Sequence, residues 1–161
     1  MKKISVIVFA LFIMVFSSCN SVGGSKNVNA TTEIKGGVVN QINTEMFKNL
    51  IYNYQKNPNE WAYEGNLPCI IDFYADWCRP CKMVAPIMEE MATKYKGKVV
   101  FYKVNTDQER ELAQTFNIQS IPALLYVPIN GKPQMAVGLF GREEYIRQIE
   151  SLLIKTQANN R

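Results

Sequence analysis

The 161-residue chain contains no histidine. That absence removes a Cys–His nucleophile pair, a Ser–His triad and every imidazole-ligated metal site. Cysteine is scarce as well. The four at positions 19, 69, 78 and 81 do not make a disulfide framework, because each placement has its own explanation. Neither sign of charge dominates: 18 Lys and Arg against 14 Asp and Glu leave +4. Without Lys2 and Lys3 the balance is 16 against 14, and no long basic run remains, so nucleic-acid binding has no support. What is present is ordinary for a globular chain, with 47% apolar and 20% charged residues, enough for one domain with a real core.

The first 19 residues read as an export signal. Lys2 and Lys3 are followed by an apolar stretch over residues 4–16 and by the small residues Ser17 and Ser18. The stretch is short for a membrane span, which needs about 20 residues. Cys19, directly after Phe16-Ser17-Ser18, resembles the lipobox of bacterial lipoproteins, whose cysteine is lipidated and becomes the mature N-terminus. Phe16 departs from that pattern, which prefers an aliphatic residue. An uncleaved anchor, or a soluble signal peptide with an incidental Cys19, are the alternatives. Residues 20–37, rich in Ser, Gly, Asn and Thr, read as a flexible tether. Residues 38–155 carry the periodic patterns of a domain, and 156–161 a frayed tail.

The chemistry concentrates in Ala75-Asp76-Trp77-Cys78-Arg79-Pro80-Cys81-Lys82. An apolar run over residues 69–74 before it predicts a buried strand, and helical spacing after it predicts a helix kinked at Pro86. Cys78 then sits at the helix N-terminus. Unpaired backbone N–H groups and the positive end of the macrodipole favour a thiolate there, so Cys78 is the nucleophile. Cys81, three residues on, is placed to attack a mixed disulfide on Cys78 and release its partner. Asp72 lies within the apolar strand, where ionisation is costly. If its side chain points toward the thiols, desolvation raises its pKa and makes it a proton acceptor for Cys81. Cys69, at the start of the same strand, reads as an inert core thiol.

Further elements follow from capping and periodicity. Thr44 is the expected N-cap of a first helix over 45–54, with Phe47, Leu50, Ile51 and Tyr54 on one face. A long segment, 56–68, holds Trp61 and Tyr63. Packing of that segment onto the body is the favoured reading over a partner surface. Strands are predicted at 98–105, 123–127 and 135–138, and helices at 108–116 and 142–155.

The run from Ile71 to Pro86, with Lys103 to Asp107, Phe116 to Leu124, Asn130-Gly131-Lys132 and Val137-Gly138, resembles the thioredoxin family over roughly residues 40–154. The resemblance implies a thioredoxin fold, an α/β domain with a central mixed β-sheet flanked by helices on both faces. It implies that Asp72 exchanges a proton with Cys81, that Lys103 approaches and moderates Asp72, and that the Ile121–Pro122 bond is cis beside a Cys78–Cys81 disulfide. Trp77, Ile121, Pro122 and Gly138 would then form the surface that meets protein substrates bearing disulfides or thiols.

No nucleotide, flavin or metal site is visible, and two thiols without histidine leave a metal short of ligands. With no cofactor, electrons must pass between partner proteins, and an exported reductant needs a membrane electron donor. The expected function is therefore a thiol–disulfide oxidoreductase of the bacterial cell envelope or periplasm, a monomer held at the membrane through lipidated Cys19. Pro80 matches the reducing members of the family and no histidine lies between the cysteines, which favours a reductase or isomerase over a disulfide-forming oxidase. A specialised reductant for cytochrome c maturation and a non-catalytic binding module are the other readings.

Overall fold

The computed structural model describes residues 33–155. The export signal, Cys19, most of the tether and the tail lie outside them. The elements run β1 (Val39–Gln41), α1 (Thr44–Leu50), β2 (Cys69–Tyr74), α2 (Arg79–Lys94), β3 (Val100–Asn105), α3 (Arg110–Thr115), β4 (Ala123–Val127), β5 (Gln134–Val137) and α4 (Arg142–Ile149), which continues as a π-helical turn, Glu150–Ile154. The sheet order is β1-β3-β2-β4-β5. β1, β3 and β2 are parallel, and β4 and β5 add on antiparallel, so the sheet is mixed. The thioredoxin-fold expectation is met. Among the described residues no helix is long and apolar enough to cross a membrane.

Alternation along β2 divides the core into two layers. Cys69, Ile71 and Phe73 pack with Phe47 and Ile51 of the α1 segment and Leu112 of α3. Ile70 faces the other way, into a layer of Val84, Met88 and Met91 from α2 and Tyr145 and Ile149 from α4. A period of two puts Asp72 on the α2 side with Ile70. The same register brings Lys103 beside it on the neighbouring strand.

Several element ends differ from the sequence expectation. The α1 cap is Asn43, whose side chain accepts the Met46 N–H; Thr44 instead gives its N–H and hydroxyl to Glu109. α1 stops at Leu50, where the N–H groups of Ile51 and Tyr52 both turn back to the Phe47 carbonyl. β3 starts at Val100 because Lys98 and Val99 donate to the Tyr95 carbonyl and close the end of α2. α3 starts at Arg110, after Gln108 and Glu109 have donated to the Asn105 carbonyl. β5 begins at Gln134 and ends at Val137. Trp61 and Tyr63 do pack the 56–68 segment onto the core, with the Trp61 ring 4.4 Å from that of Tyr52 and the Tyr63 hydroxyl donating to the Leu67 carbonyl. Within β1 the Asn40 side chain ties down the chain before the strand, accepting the Lys35 N–H at 3.0 Å and donating to the Lys35 carbonyl at 2.9 Å.

Candidate active site

The strand-to-helix junction puts both cysteines at the C-terminal end of β2. The Cys78 N–H donates to the Ala75 carbonyl at 3.1 Å, which folds the Asp76–Trp77 turn and leaves Cys78 extended as the N-cap of α2. Its sulfur accepts the Cys81 N–H at 3.1 Å, taking the capping role that an oxygen usually fills. Pro80 occupies the first turn, where a missing N–H has no consequence for the helix. Cys78 and Cys81 form a disulfide with a Cα–Cα separation of 5.3 Å. Both residues are buried in a small cluster with Ala75, against which Tyr74 and Ile121 pack.

Beneath the disulfide a cavity of about 140 Å³ is lined by Asp72, Tyr74, Ala85, Lys103 and Cys81 among others. Asp72 is 5% exposed, and its Oδ1 has no hydrogen-bond partner. Burial pushes its carboxyl up to about 7, and the positive charge of Lys103 opposes the rise. Among the described residues no direct ion pair joins the two side chains; the Lys103 Nζ lies 5.6 Å over the Tyr74 ring. A carboxyl in that range changes protonation near neutral pH, and Cys81 lines the same cavity.

Above the disulfide the Ile121–Pro122 bond is cis. The Pro122 carbonyl accepts the Gly138 N–H at 2.8 Å, which joins the loop before β4 to the end of β5. Gly138 has φ of +109°, a conformation that glycine reaches without the clash a side chain brings. Trp77 is 71% exposed and shares a groove of about 380 Å³ with Thr106, Ile118, Gln119, Ser120 and Ile121. Val137 and Leu139, on either side of Gly138, are also exposed. The structure thus brings Cys78, Cys81, Asp72, Lys103, Trp77, Ile121, Pro122 and Gly138 to one end of the sheet. Cys69 lies apart, fully buried, its thiol pushed up to about 12 by burial.

Sequence reasoning passed over Asn105 and Asp107 except as part of the family match. Asn105 is buried at the end of β3 and bonds both neighbouring loops, while Asp107 accepts the Trp77 indole N–H at 2.9 Å. An asparagine closing an otherwise apolar strand is the signal that marks it, since a buried amide requires partners. Among the described residues no group of three or more Cys, Asp or Glu is placed to hold a metal ion.

A family model described as thioredoxin matches residues 39–151. The chain is 43% identical over 95 residues to a thioredoxin of Borreliella burgdorferi, an alignment covering 59% of this chain and 80% of that relative. It is 38% identical over 90 residues to thioredoxin 1 of a Nostoc species, covering 56% and 84%. With the chloroplastic M-type thioredoxin of Spinacia oleracea the identity is 36% over 94 residues, covering 58% of this chain and 52% of the relative. The chain belongs to the thioredoxin family, and its Cys78–Cys81 disulfide is the redox centre of a protein-disulfide oxidoreductase.

Proposed function

We propose that this oxidoreductase works in the bacterial cell envelope, held to a membrane through a lipidated Cys19, and reduces or isomerises the disulfides of protein substrates. The export pattern over residues 1–19 supports the location, and the Ser- and Gly-rich tether supports an anchored head that reaches its partners. The absence of histidine between the cysteines, with Pro80 in the first turn, supports the reducing direction.

In the reducing half-reaction the Cys78 thiolate attacks one sulfur of a substrate disulfide. That S–S bond breaks, a Cys78–substrate disulfide forms, and the first substrate sulfur leaves as a thiolate that takes up a proton. Cys81 then gives its proton to the Asp72 carboxylate and attacks the Cys78 sulfur. The second substrate thiolate leaves and is protonated in turn. Two electrons have passed from the enzyme to the substrate, one proton has come from Cys81 by way of Asp72 and one from solvent, and the Cys78–Cys81 disulfide remains. A membrane electron donor returns the two electrons. Lys103 tempers the affinity of Asp72 for its proton, and Trp77, Ile121, Pro122 and Gly138 receive the substrate chain, whose backbone adds alongside Ile121.

One observation carries this assignment of roles: Cys78 caps α2 with the Cys81 N–H on its sulfur, while Cys81 shares a cavity with Asp72, whose buried Oδ1 is unpaired. The test is a trapping experiment with a disulfide-bonded protein such as insulin. The Cys81→Ser variant should accumulate a mixed disulfide through Cys78, and Cys78→Ser should neither trap nor reduce. Reductase activity in Cys78→Ser would overturn the assignment.

A further inference from the structure

We propose that Asn105 is a positioning residue for the exposed indole of Trp77, and that it sets how well a protein disulfide docks. The inference rests on the reading of Trp77 as a substrate contact. Asn105 ends β3 and is 2% exposed. Its Nδ2 donates to Asp76 Oδ2 at 3.2 Å, and its Oδ1 accepts the Asp107 N–H at 3.0 Å. These partners fix the amide's orientation, since a carboxylate needs the nitrogen and a backbone N–H needs the oxygen.

Each partner leads to Trp77 by a different path. Asp76 precedes it in the chain, and the Asp107 carboxylate accepts its indole N–H at 2.9 Å. One buried amide therefore holds the indole from its backbone side and from its ring side. The Asn105 carbonyl also accepts N–H groups from Gln108 and Glu109, at 3.1 and 2.8 Å, which stiffens the loop carrying Asp107. Thr106 adds a third tie, donating its N–H and hydroxyl to the Tyr74 carbonyl at 2.9 and 3.1 Å.

Such bracing matters because Trp77 has little packing of its own at 71% exposure. A free indole at that position has to be ordered when a substrate docks, and the ordering is subtracted from affinity. Held in place beforehand, it presents a fixed wall of the groove it shares with Ile118 and Ile121. A small disulfide reagent, which does not span that groove, gains nothing from the bracing.

The experiment compares wild type with Asn105→Ala, Asp76→Ala, Asp76→Asn and Trp77→Ala, measuring kcat and KM for insulin. The rate with a small aromatic disulfide is measured for wild type and Asn105→Ala. Loss of one or two hydrogen bonds predicts a KM for insulin raised about fivefold in Asn105→Ala and Asp76→Ala, with kcat and the small-disulfide rate of Asn105→Ala within about twofold of wild type. Asp76→Asn keeps a carbonyl oxygen for the Asn105 amide and should restore the wild-type KM. Should Asn105→Ala fail to fold, the two substitutions at exposed Asp76 decide, because only one of them removes the acceptor. If Trp77→Ala raises KM and the Asn105 and Asp76 variants do not, the positioning role is wrong while the substrate reading of Trp77 stands. If Trp77→Ala leaves KM unchanged, both fall.

Discussion

Replacing Asp72 with asparagine should change the way stability depends on pH, and the size of the change follows from the burial of one carboxyl. Its pKa is raised from 3.8 to about 7, first by desolvation and against the pull of Lys103. Between those values the folded protein holds a proton that the unfolded chain has released. The linkage therefore runs opposite to that of a salt-bridged carboxylate: the folded state is favoured most below about pH 4, and stability is lost as the pH rises through about 7. A difference of about three pH units corresponds to about 4 kcal/mol lost once Asp72 is fully ionised, as an order of magnitude. The asparagine amide of the Asp72→Asn variant cannot ionise and escapes that loss. Urea denaturation of the disulfide forms at about pH 5, 7 and 9 measures it, because all other titrating groups are common to both proteins and cancel in the difference. Between about pH 5 and about pH 9 the variant should gain about 3 kcal/mol on wild type, the part of that loss that falls above pH 5. Parallel stability profiles over this range would refute the buried, near-neutral carboxyl. The same variant should slow release of a trapped substrate by about ten- to a hundredfold and lose the pH dependence of that step near 7.

Trp61→Ala should lower stability by about 2 kcal/mol in urea melts, since it removes the ring packed on Tyr52, while leaving the KM for protein disulfides unchanged. A raised KM would show that the 56–68 segment meets partners. Gly138→Ala places a Cβ in open space, so its effect isolates the backbone at φ +109°: about 1–2 kcal/mol of destabilisation by the same assay, against none if the loop relaxes freely. Asn43→Ala should weaken the start of α1 by about 1 kcal/mol, measured from the shift in the urea midpoint. An unchanged midpoint would mean that Asn43 does not cap the helix.

The elements around the redox site were legible because their signals are local. An apolar strand, a C-x-x-C and a helical repeat follow one another without a gap, and period-two alternation carries Asp72 to the α2 face where Cys81 lies. The boundaries that shifted depend on distant residues. Asn43 and Thr44 are both good caps by type; Glu109, 65 positions from Thr44, decides between them by taking the Thr44 N–H and hydroxyl. α1 ends at Leu50, and Tyr52 beyond it meets Trp61 of the 56–68 segment, a contact that no periodicity contains. Asn105 escaped notice for a related reason. Its type suggests a turn residue, and its importance comes from the loops on either side of the sheet end that it joins, one of them 29 positions back in the chain. The π-helical turn at Glu150–Ile154 leaves no mark in the apolar pattern, since Leu153 is buried as the α-helical expectation requires.

Whether the Cys78–Cys81 pair donates electrons to protein disulfides is tested most directly by its reduction potential. Equilibrating the purified protein with defined ratios of reduced and oxidised glutathione gives the value. Reference potentials are about −270 mV for a reducing thioredoxin and about −120 mV for a strong periplasmic oxidant. A potential close to the first is expected, because the site has no histidine to stabilise the Cys78 thiolate further. A potential close to the second would contradict it and make the protein a disulfide-forming oxidase.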